Sequence, residues 1–214
     1  MPGPVPNPTL IYHITHVDNL TSIIADGGLH AKIAIKARGI QYVSIAYNHI
    51  QDRRERIPVP CGPGGILHDY VPFSFAPRSP MLYTINRGNV PGYEEGQEPI
   101  LHLVTSTQAV DEEGLGFVFT DGHGIMQVTR PFESLSSLSE IDWPLMKARY
   151  WNDTNEDPDR ARRRQAEFLV YRFVPWGIIK YIGVINQRIS KLVEGKLVKQ
   201  AYQPSILVKR GWYY

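Results

Sequence analysis

Residues 162–170 read RRRQAEFLV, so three arginines and a glutamate lead directly into an apolar run. The apolar side chains from Phe168 to Val170 suit a buried strand, and we expect that strand to begin at Glu167. An ionised carboxylate at the start of a buried strand is costly unless it has partners. Glu167 is therefore either a reactive carboxylate in a cleft or an edge-strand residue paired with a neighbouring arginine.

A carboxylate in a cleft is suited to breaking a glycosidic bond. Such a reaction develops positive charge on a sugar carbon, and a nearby carboxylate stabilises that charge. The residues alone leave this role and the structural role of Glu167 both open.

A second polar pattern lies near the start of the chain. Residues 10–15, LIYHIT, alternate along a short run that predicts the first strand. His13 and Thr15 would then share one face, where an imidazole and a hydroxyl can bind a ribose or an amide. The alternative is a strand histidine whose polar atoms are satisfied inside the protein.

Basic residues gather in two places. Arg53 and Arg54 lie near the end of a predicted helix over 44–55, where they either bind a phosphate or base or form a solvated helix face. Four arginines fall within 160–164, just after Tyr150 and Trp151. This second group fits a nucleic-acid backbone with aromatic side chains that stack on bases, or else an exposed basic loop beside ordinary aromatic packing.

The rest of the chain predicts a loop-rich α+β protein, because 17 prolines and 18 glycines are spread along it. Residues 32–63 follow no clear pattern and are interpreted as a mobile or substrate-facing segment. Pro72 interrupts a strand-like run over 64–75 and favours an edge strand or a bulge there. Further strands are predicted over 100–105, 116–119, 181–185 and 205–209, and helices from Pro80, over 141–150 and over 188–196.

Composition indicates a single domain over 1–214, since 43% of the residues are hydrophobic and 21% charged. The net charge of +2 does not indicate a strongly basic nucleic-acid-binding domain. Cys61 is the only cysteine, which excludes an internal disulfide framework and a multi-cysteine zinc site. We expect no membrane span, no secretory signal and a cytoplasmic location. The seven histidines, His68 and His123 among them, show no metal-binding spacing, so no metal is expected.

Four blocks of the sequence together resemble the DarT family, toxins of bacterial toxin–antitoxin pairs that ADP-ribosylate single-stranded DNA. The blocks are YHITHVDNL at 12–20, PVPCGPGGILHDYVPFSFAPRSPML at 58–82, FVFTDGHG at 117–124, and RRRQAEFLV at 162–170. The resemblance runs nearly end to end. It implies an ADP-ribosyltransferase-like α+β fold with a split central β-structure and an NAD-binding cleft.

The same resemblance assigns roles within that cleft. It implies NAD⁺ as a co-substrate and no metal, with Glu167 and Arg54 as the catalytic residues; Arg53 is the alternative to Arg54. The implied NAD⁺ contacts are His13, Ile14, Thr15, Ser22, His30 and Arg54. Ser74 departs from the aromatic residue that the family carries at this position, which bears on the substrate face.

The implied acceptor is a ring nitrogen of an unpaired base, thymidine first and guanosine second. The implied DNA contacts are Arg53, Tyr150, Trp151, Arg162, Arg163 and Arg164, and the implied partner is a DarG-like macrodomain antitoxin. Two other functions stay open: an enzyme of this fold that acts on RNA or protein, and a non-enzymatic module that binds single-stranded nucleic acid.

Overall fold

The computed structural model describes residues 3–214. Its strands are β1 Leu10–His16, β2 Gly28–His30, β3 Tyr70–Ser74, β4 Ile100–Ser106, β5 Phe117–Thr120, β6 Pro131–Phe132, β7 Glu167–Tyr171, β8 Phe173–Pro175, β9 Tyr181–Val184 and β10 Ser205–Val208. Its α-helices are α1 Leu20–Ala25, α2 Lys32–Ala37, α3 Asn48–Arg54, α4 Pro80–Asn86, α5 Thr107–Glu112, α6 Trp143–Lys147, α7 Arg160–Arg163 and α8 Gln187–Leu197. Short 3₁₀ turns cover Val17–Asn19, Leu67–Asp69, Leu135–Glu140, Trp176–Ile178 and Arg210–Trp212.

Eight of these strands form one mixed sheet in the order β10-β9-β4-β1-β3-β7-β5-β6, and β2 pairs with β8 separately. All seven residues of β4 are buried, because both faces of this part of the sheet are covered. The α+β architecture predicted from the sequence is confirmed.

The sheet is split between β1 and β3. Strand β1 pairs with β4 along its whole length, from Leu10 opposite Ser106 to His16 opposite Ile100. Its register with β3 consists of Tyr12 opposite Ser74. Strand β3 instead pairs residue for residue with β7, which brings Ser74 opposite Glu167. The strand that carries His13 therefore lies on one side of this split, and the β3–β7 pair that carries Glu167 lies on the other, as the predicted split β-structure requires.

The prediction that Pro72 marks an edge strand is wrong, since β3 has a neighbour on each side. The carbonyl of Pro72 accepts a hydrogen bond from the ring of His13 in β1 at 2.8 Å. The N–H and C=O of one strand residue point to the same side. The missing N–H of Pro72 therefore faces the split, where no ladder needs it.

Local signals place the helices near the split. The Ser79 hydroxyl accepts from the N–H of Leu82, and Pro80 occupies the first turn, so α4 begins where the sequence predicts. Helix α3 begins at Asn48, later than the predicted 44, and its last residue, Arg54, is buried although it is charged. Between residues 3 and 214 no helix is long and apolar enough to cross a membrane.

Candidate active site

Two adjoining cavities occupy the split. The first cavity is lined by every residue predicted to contact NAD⁺, namely His13, Ile14, Thr15, Ser22, His30 and Arg54. Its empty volume is about 970 Å³, part of it open to solvent. The second, which we call the Glu167 cavity, is lined by Glu167, His123, Ser74 and Ser79. Because His13, Ile14 and Arg54 line both, the two form one continuous cleft.

The outer wall of the first cavity is fixed by a buried asparagine. The amide of Asn19 donates to the Val43 carbonyl at 3.0 Å, and its oxygen accepts from the Val43 N–H at 2.7 Å. The same amide donates to the Thr15 hydroxyl at 3.1 Å. Val43 belongs to the segment interpreted as mobile, yet Asn19 ties it to the strand that lines the cavity.

His13 is held as a neutral ring with a defined tautomer. Burial lowers its pKa, against the opposing effect of its hydrogen bond to Pro72. A carbonyl can only accept, so Nδ1 carries the proton and Nε2 is left as an acceptor. An N–H or O–H group of a bound molecule could donate to that nitrogen.

His30 lies at the far end of the first cavity. Its Nε2 is 2.5 Å from a guanidinium nitrogen of Arg38, which also donates to Asp26 at 2.9 Å. Burial and the Arg38 charge lower the pKa of His30. The ring is therefore neutral and already has one polar partner.

Arg54 and Glu167 form an ion pair in the Glu167 cavity. Arg54 Nη1 lies 2.8 Å from Glu167 Oε2 and 3.1 Å from Oε1. The side chains are 8% and 13% exposed, so water screens this pair weakly. Arg54 rather than Arg53 is brought to the carboxylate; Arg53 is exposed, with a 3.4 Å contact to the carbonyl of Ile125.

The surroundings keep Glu167 ionised. Burial by itself raises its pKa, but the charge of Arg54 and the nearby His123 outweigh burial and lower the pKa to about 2. A neutral carboxyl would leave Arg54 as an uncompensated buried charge. Glu167 therefore offers a fixed negative charge to the cleft at any pH near neutrality.

The loop after β5 supplies further contacts to this carboxylate. Gly124 N–H donates to Glu167 Oε1 at 3.2 Å, and His123 Nδ1 lies 3.4 Å from the same oxygen. The Thr120 hydroxyl accepts from the Glu167 N–H at 3.2 Å and donates to Gly122. The TDGHG turn thus holds both the backbone and the side chain of Glu167.

An ion-pair network holds that turn in its place. Arg162 Nη1 donates to Asp121 at 3.0 Å, while its Nε and Nη2 bond Asp159 at 2.7 Å. Asp121 also accepts from the N–H and the side chain of Arg130 at 2.9 Å. A Cβ on Gly122 would meet the guanidinium of Arg162, so a side chain there would displace Arg162 from this network.

The other arginines of this group also have internal partners. Arg163 bonds Asp142 at 3.1 Å and Asp157 at 2.6 Å. Arg164 is buried and donates to the carbonyls of Leu145 and Arg78, so its predicted place at the DNA needs correction: these hydrogen bonds hold the guanidinium inside the protein. DNA binding by Arg162 and Arg163 stays a prediction, although the acidic partners of both reduce the charge left for a phosphate.

The two aromatic residues predicted to contact DNA differ in setting. Tyr150 is 75% exposed, and the Arg149 guanidinium lies 5.7 Å from its ring centre. Trp151 is half-buried and its indole N–H donates to the Tyr214 hydroxyl at 3.3 Å. Tyr150 is thus free to contact a ligand, whereas Trp151 is held by the protein.

Sequence reasoning missed two residues of the cleft. Asn19 carries no signal apart from its place after the first strand. His123 shows no metal-binding spacing, and its partner Glu167 lies far along the chain, so no local pattern indicates its place in the cleft. Within residues 3–214 no three His, Cys, Asp or Glu side chains gather as a metal site would require.

Comparison with known proteins identifies the family. The sequence profile described as "ssDNA thymidine ADP-ribosyltransferase, DarT" matches residues 12–214. A DNA ADP-ribosyl transferase of Thermus sp. (strain 2.9) is 50% identical over 214 residues, with 98% of each chain covered.

Solved structures similar to this chain belong to the same family. The structure of Thermus sp. 2.9 DarT in complex with ADP-ribosylated ssDNA has a TM-score of 0.93 at 48% identity, covering 100% of both chains. The same protein in complex with NAD⁺ gives a TM-score of 0.88 at 45% identity, covering 99% of this chain and 100% of that one. The chain therefore belongs to the DarT family of single-stranded DNA thymidine ADP-ribosyltransferases.

Proposed function

We propose that this chain, acting as a single domain over 1–214, transfers ADP-ribose from NAD⁺ to thymidine in single-stranded DNA, with Glu167 as the carboxylate that controls the fate of NAD⁺. The Arg54–Glu167 ion pair inside the cleft is the observation that carries this proposal. Relatives support the substrates, since the Thermus sp. 2.9 protein has been solved with NAD⁺ and with ADP-ribosylated ssDNA.

NAD⁺ would occupy the first cavity with its nicotinamide end toward the split. His13 Nε2 and the Thr15 hydroxyl are polar groups on the β1 wall, and Ser22 and His30 line the same cavity further along. The neutral ring of His13 fits this role, because a cation there would repel the positively charged nicotinamide.

Glu167 has one oxygen available for the ribose. Oε1 already accepts from Arg54 and Gly124, whereas Oε2 accepts from Arg54. A carboxylate has about four lone-pair sites, so Oε2 can accept from a ribose hydroxyl as well. As the nicotinamide–ribose bond breaks, the carboxylate then stabilises the positive charge on the sugar.

The acceptor base would enter the Glu167 cavity, where its ring nitrogen attacks the sugar carbon. Thymine must lose its N–H proton as the new bond forms, and that proton passes to solvent at the open side of the cleft. Arg54 favours this loss by stabilising the negative charge that develops on the base, since a guanidinium does not act as a free base at neutral pH. Unpaired DNA is favoured because extrusion of a base from a duplex costs a few kcal/mol.

Labelled NAD⁺ and a short single-stranded oligonucleotide test this function. The wild type should label DNA that contains thymidine, and Glu167→Ala and Glu167→Gln should both lose labelling. Either change leaves Arg54 as an unpaired buried charge, so melting temperatures are measured and labelling is compared at a temperature at which both variants are folded. Glu167→Gln is the closer control, because it keeps the size of the side chain and removes the charge. Equal labelling by either variant would reject the role of Glu167. Labelling of guanosine, RNA or protein in place of thymidine would reject the proposed acceptor.

Family membership also supports an antitoxin partner of the DarG type and a cytoplasmic location, where NAD⁺ and chromosomal DNA are present. We propose that this partner removes the ADP-ribose from DNA. The proposal predicts that a DarG-type macrodomain releases label from the isolated modified oligonucleotide in the absence of this chain. No release would contradict it.

A further inference from the structure

Three aromatic side chains from separate segments meet just outside the Glu167 cavity. Tyr83 of α4 lies 5.8 Å from the Trp151 ring at 88°, and 5.1 Å from the Tyr214 ring at 66°. Trp151 donates to the Tyr214 hydroxyl at 3.3 Å. We call Tyr83, Trp151 and Tyr214 the aromatic cluster.

The aromatic cluster is continuous with the rim of the Glu167 cavity. Tyr214 donates to the carbonyl of Arg78 at 3.1 Å, with that of Ser79 at 3.4 Å, and Ser79 lines the cavity. The N–H of Tyr83 donates to the same Ser79 carbonyl at 3.1 Å. Tyr83 therefore lies one helical turn, about 5 Å, beyond the rim.

Tyr83 does not lie on the buried face of α4. That helix buries Leu82 and Ile85, whereas Tyr83 is 41% exposed. An exposed aromatic ring that is held by two aromatic neighbours is suited to stacking on a base, because little conformational freedom is lost on binding.

Positive charge surrounds the aromatic cluster. The Arg78 guanidinium lies 5.6 Å from the Tyr214 ring centre. Arg160 donates to the carbonyls of Tyr150 and Asn152 at 3.0 and 3.1 Å, so it fixes the backbone on both sides of Trp151. Aromatic faces together with arginines are the combination that binds the bases and backbone of a single strand.

We propose that Tyr83, held by Trp151 and Tyr214, stacks on the base of a nucleotide adjacent to the target thymidine and so forms a second nucleobase subsite. This inference rests on the proposed function only in that the strand enters the Glu167 cavity. Tyr83 acts as a positioning residue, because it touches a flanking base and not the reacting atoms.

A flank-by-variant experiment tests this subsite. Oligonucleotides with one thymidine carry an abasic site at each flanking position in turn, and the KM for DNA is measured for the wild type, Tyr83→Leu and Tyr83→Phe. In the wild type, an abasic site at one flanking position should raise the KM about tenfold. Tyr83→Leu should show that raised KM with the intact oligonucleotide and no further increase with the abasic one. Tyr83→Phe, which keeps the ring, should match the wild type, and the KM for NAD⁺ should stay constant.

Two results would overturn the subsite. One is a wild-type enzyme whose KM is insensitive to abasic sites at all flanking positions, which needs no variant and is unaffected by misfolding. The other is a Tyr83→Leu enzyme that keeps the full sensitivity of the wild type. Failure of the proposed function would look different, since the wild type would then label no thymidine oligonucleotide at all.

Discussion

The two arginine groups of this chain look alike in sequence and differ in what surrounds them. Arg54, at the end of α3, reaches Glu167 in the cleft at 2.8 Å. The group in and after α7 turns to scaffold partners instead: Arg162 to Asp121, and Arg163 to Asp157. The four arginines within 160–164 therefore contribute less positive charge to the cleft than Arg54 alone does.

The difference lies in the position of the counter-charges. Asp157 and Asp159 lie within six residues of the arginines that they bind. Asp121 and Asp142 lie further along the chain but also outside the Glu167 cavity, so the charges of Arg162 and Arg163 are balanced away from it. The partner of Arg54 is 113 residues away in the sequence and is the one carboxylate on the wall of the Glu167 cavity. In this chain, the arginine that lines the cleft is the one whose counter-charge lines it as well.

Arg54→Met is the substitution with the largest expected effect on activity. Loss of the cation should reduce transfer by at least about a hundredfold. Arg54 is the main charge that lowers the pKa of Glu167, so in the variant that pKa rises from about 2. Wild-type activity should have no acid limb from Glu167 until the pH falls toward that value, whereas in the variant residual activity should fall already at mildly acidic pH.

Rates of DNA labelling across the acidic and neutral range measure both effects. Arg53→Met is the matched control and, at saturating DNA, should retain the wild-type rate and pH dependence. Melting temperatures must accompany the rates, because an unpaired buried carboxylate costs about 3–5 kcal/mol of unfolding free energy. An Arg54→Met enzyme with wild-type rate and pH profile would contradict the assignment and favour a purely structural ion pair.

Arg164→Met should affect stability more than substrate binding. The guanidinium is buried among the carbonyls of Leu145, Met146 and Arg78, and removal leaves these acceptors without donors. We expect a loss of about 2–4 kcal/mol in the free energy of unfolding, measured by denaturant titration. Unchanged stability together with weaker DNA binding would restore the prediction that Arg164 contacts DNA.

Local patterns account for the parts of the fold that the sequence predicts. The alternation over 10–15 and the apolar run after Glu167 each define a strand by side-chain period, and Ser79-Pro80 defines a helix start by hydrogen bonding. These features depend on neighbours within a few residues. They correspond to strands β1 and β7 and helix α4.

Long-range pairing accounts for what the sequence does not predict. Nothing near Pro72 indicates that its missing N–H faces a split in the sheet and not an outer edge. Likewise, Glu167 is partnered by Arg54 and His123. These two residues come from a helix and a loop whose positions follow from the strand order. The identity of the NAD⁺ contacts came from family resemblance, and their role in this chain stays a prediction.

Arg162→Gln tests the scaffold role of the α7 group at the point nearest the site. Arg162 fixes Asp121 and through it the turn that carries Gly124 to Glu167. We expect kcat to fall about tenfold, because small displacements of a catalytic carboxylate reduce the rate strongly. The KM for DNA and its dependence on salt should stay at the wild-type values. A raised KM with unchanged kcat would instead assign Arg162 to the DNA backbone.

The smallest expected effect comes from Arg53→Ala, which compares an arginine without an ion pair with the paired arginines of the α7 group. Arg53 is exposed and forms no ion pair within residues 3–214, so of the arginines predicted to bind DNA it has the most charge to offer a phosphate. Its loss should weaken DNA binding a few-fold and reduce the slope of log K against log salt by about one, with kcat unchanged. Arg163→Ala should leave that slope unaltered, since its charge is balanced by Asp142 and Asp157. The opposite result, a reduced slope for Arg163→Ala and not for Arg53→Ala, would contradict this. The clustering of arginines in the sequence, and not their ion pairing inside the protein, would then decide which arginines contact the DNA.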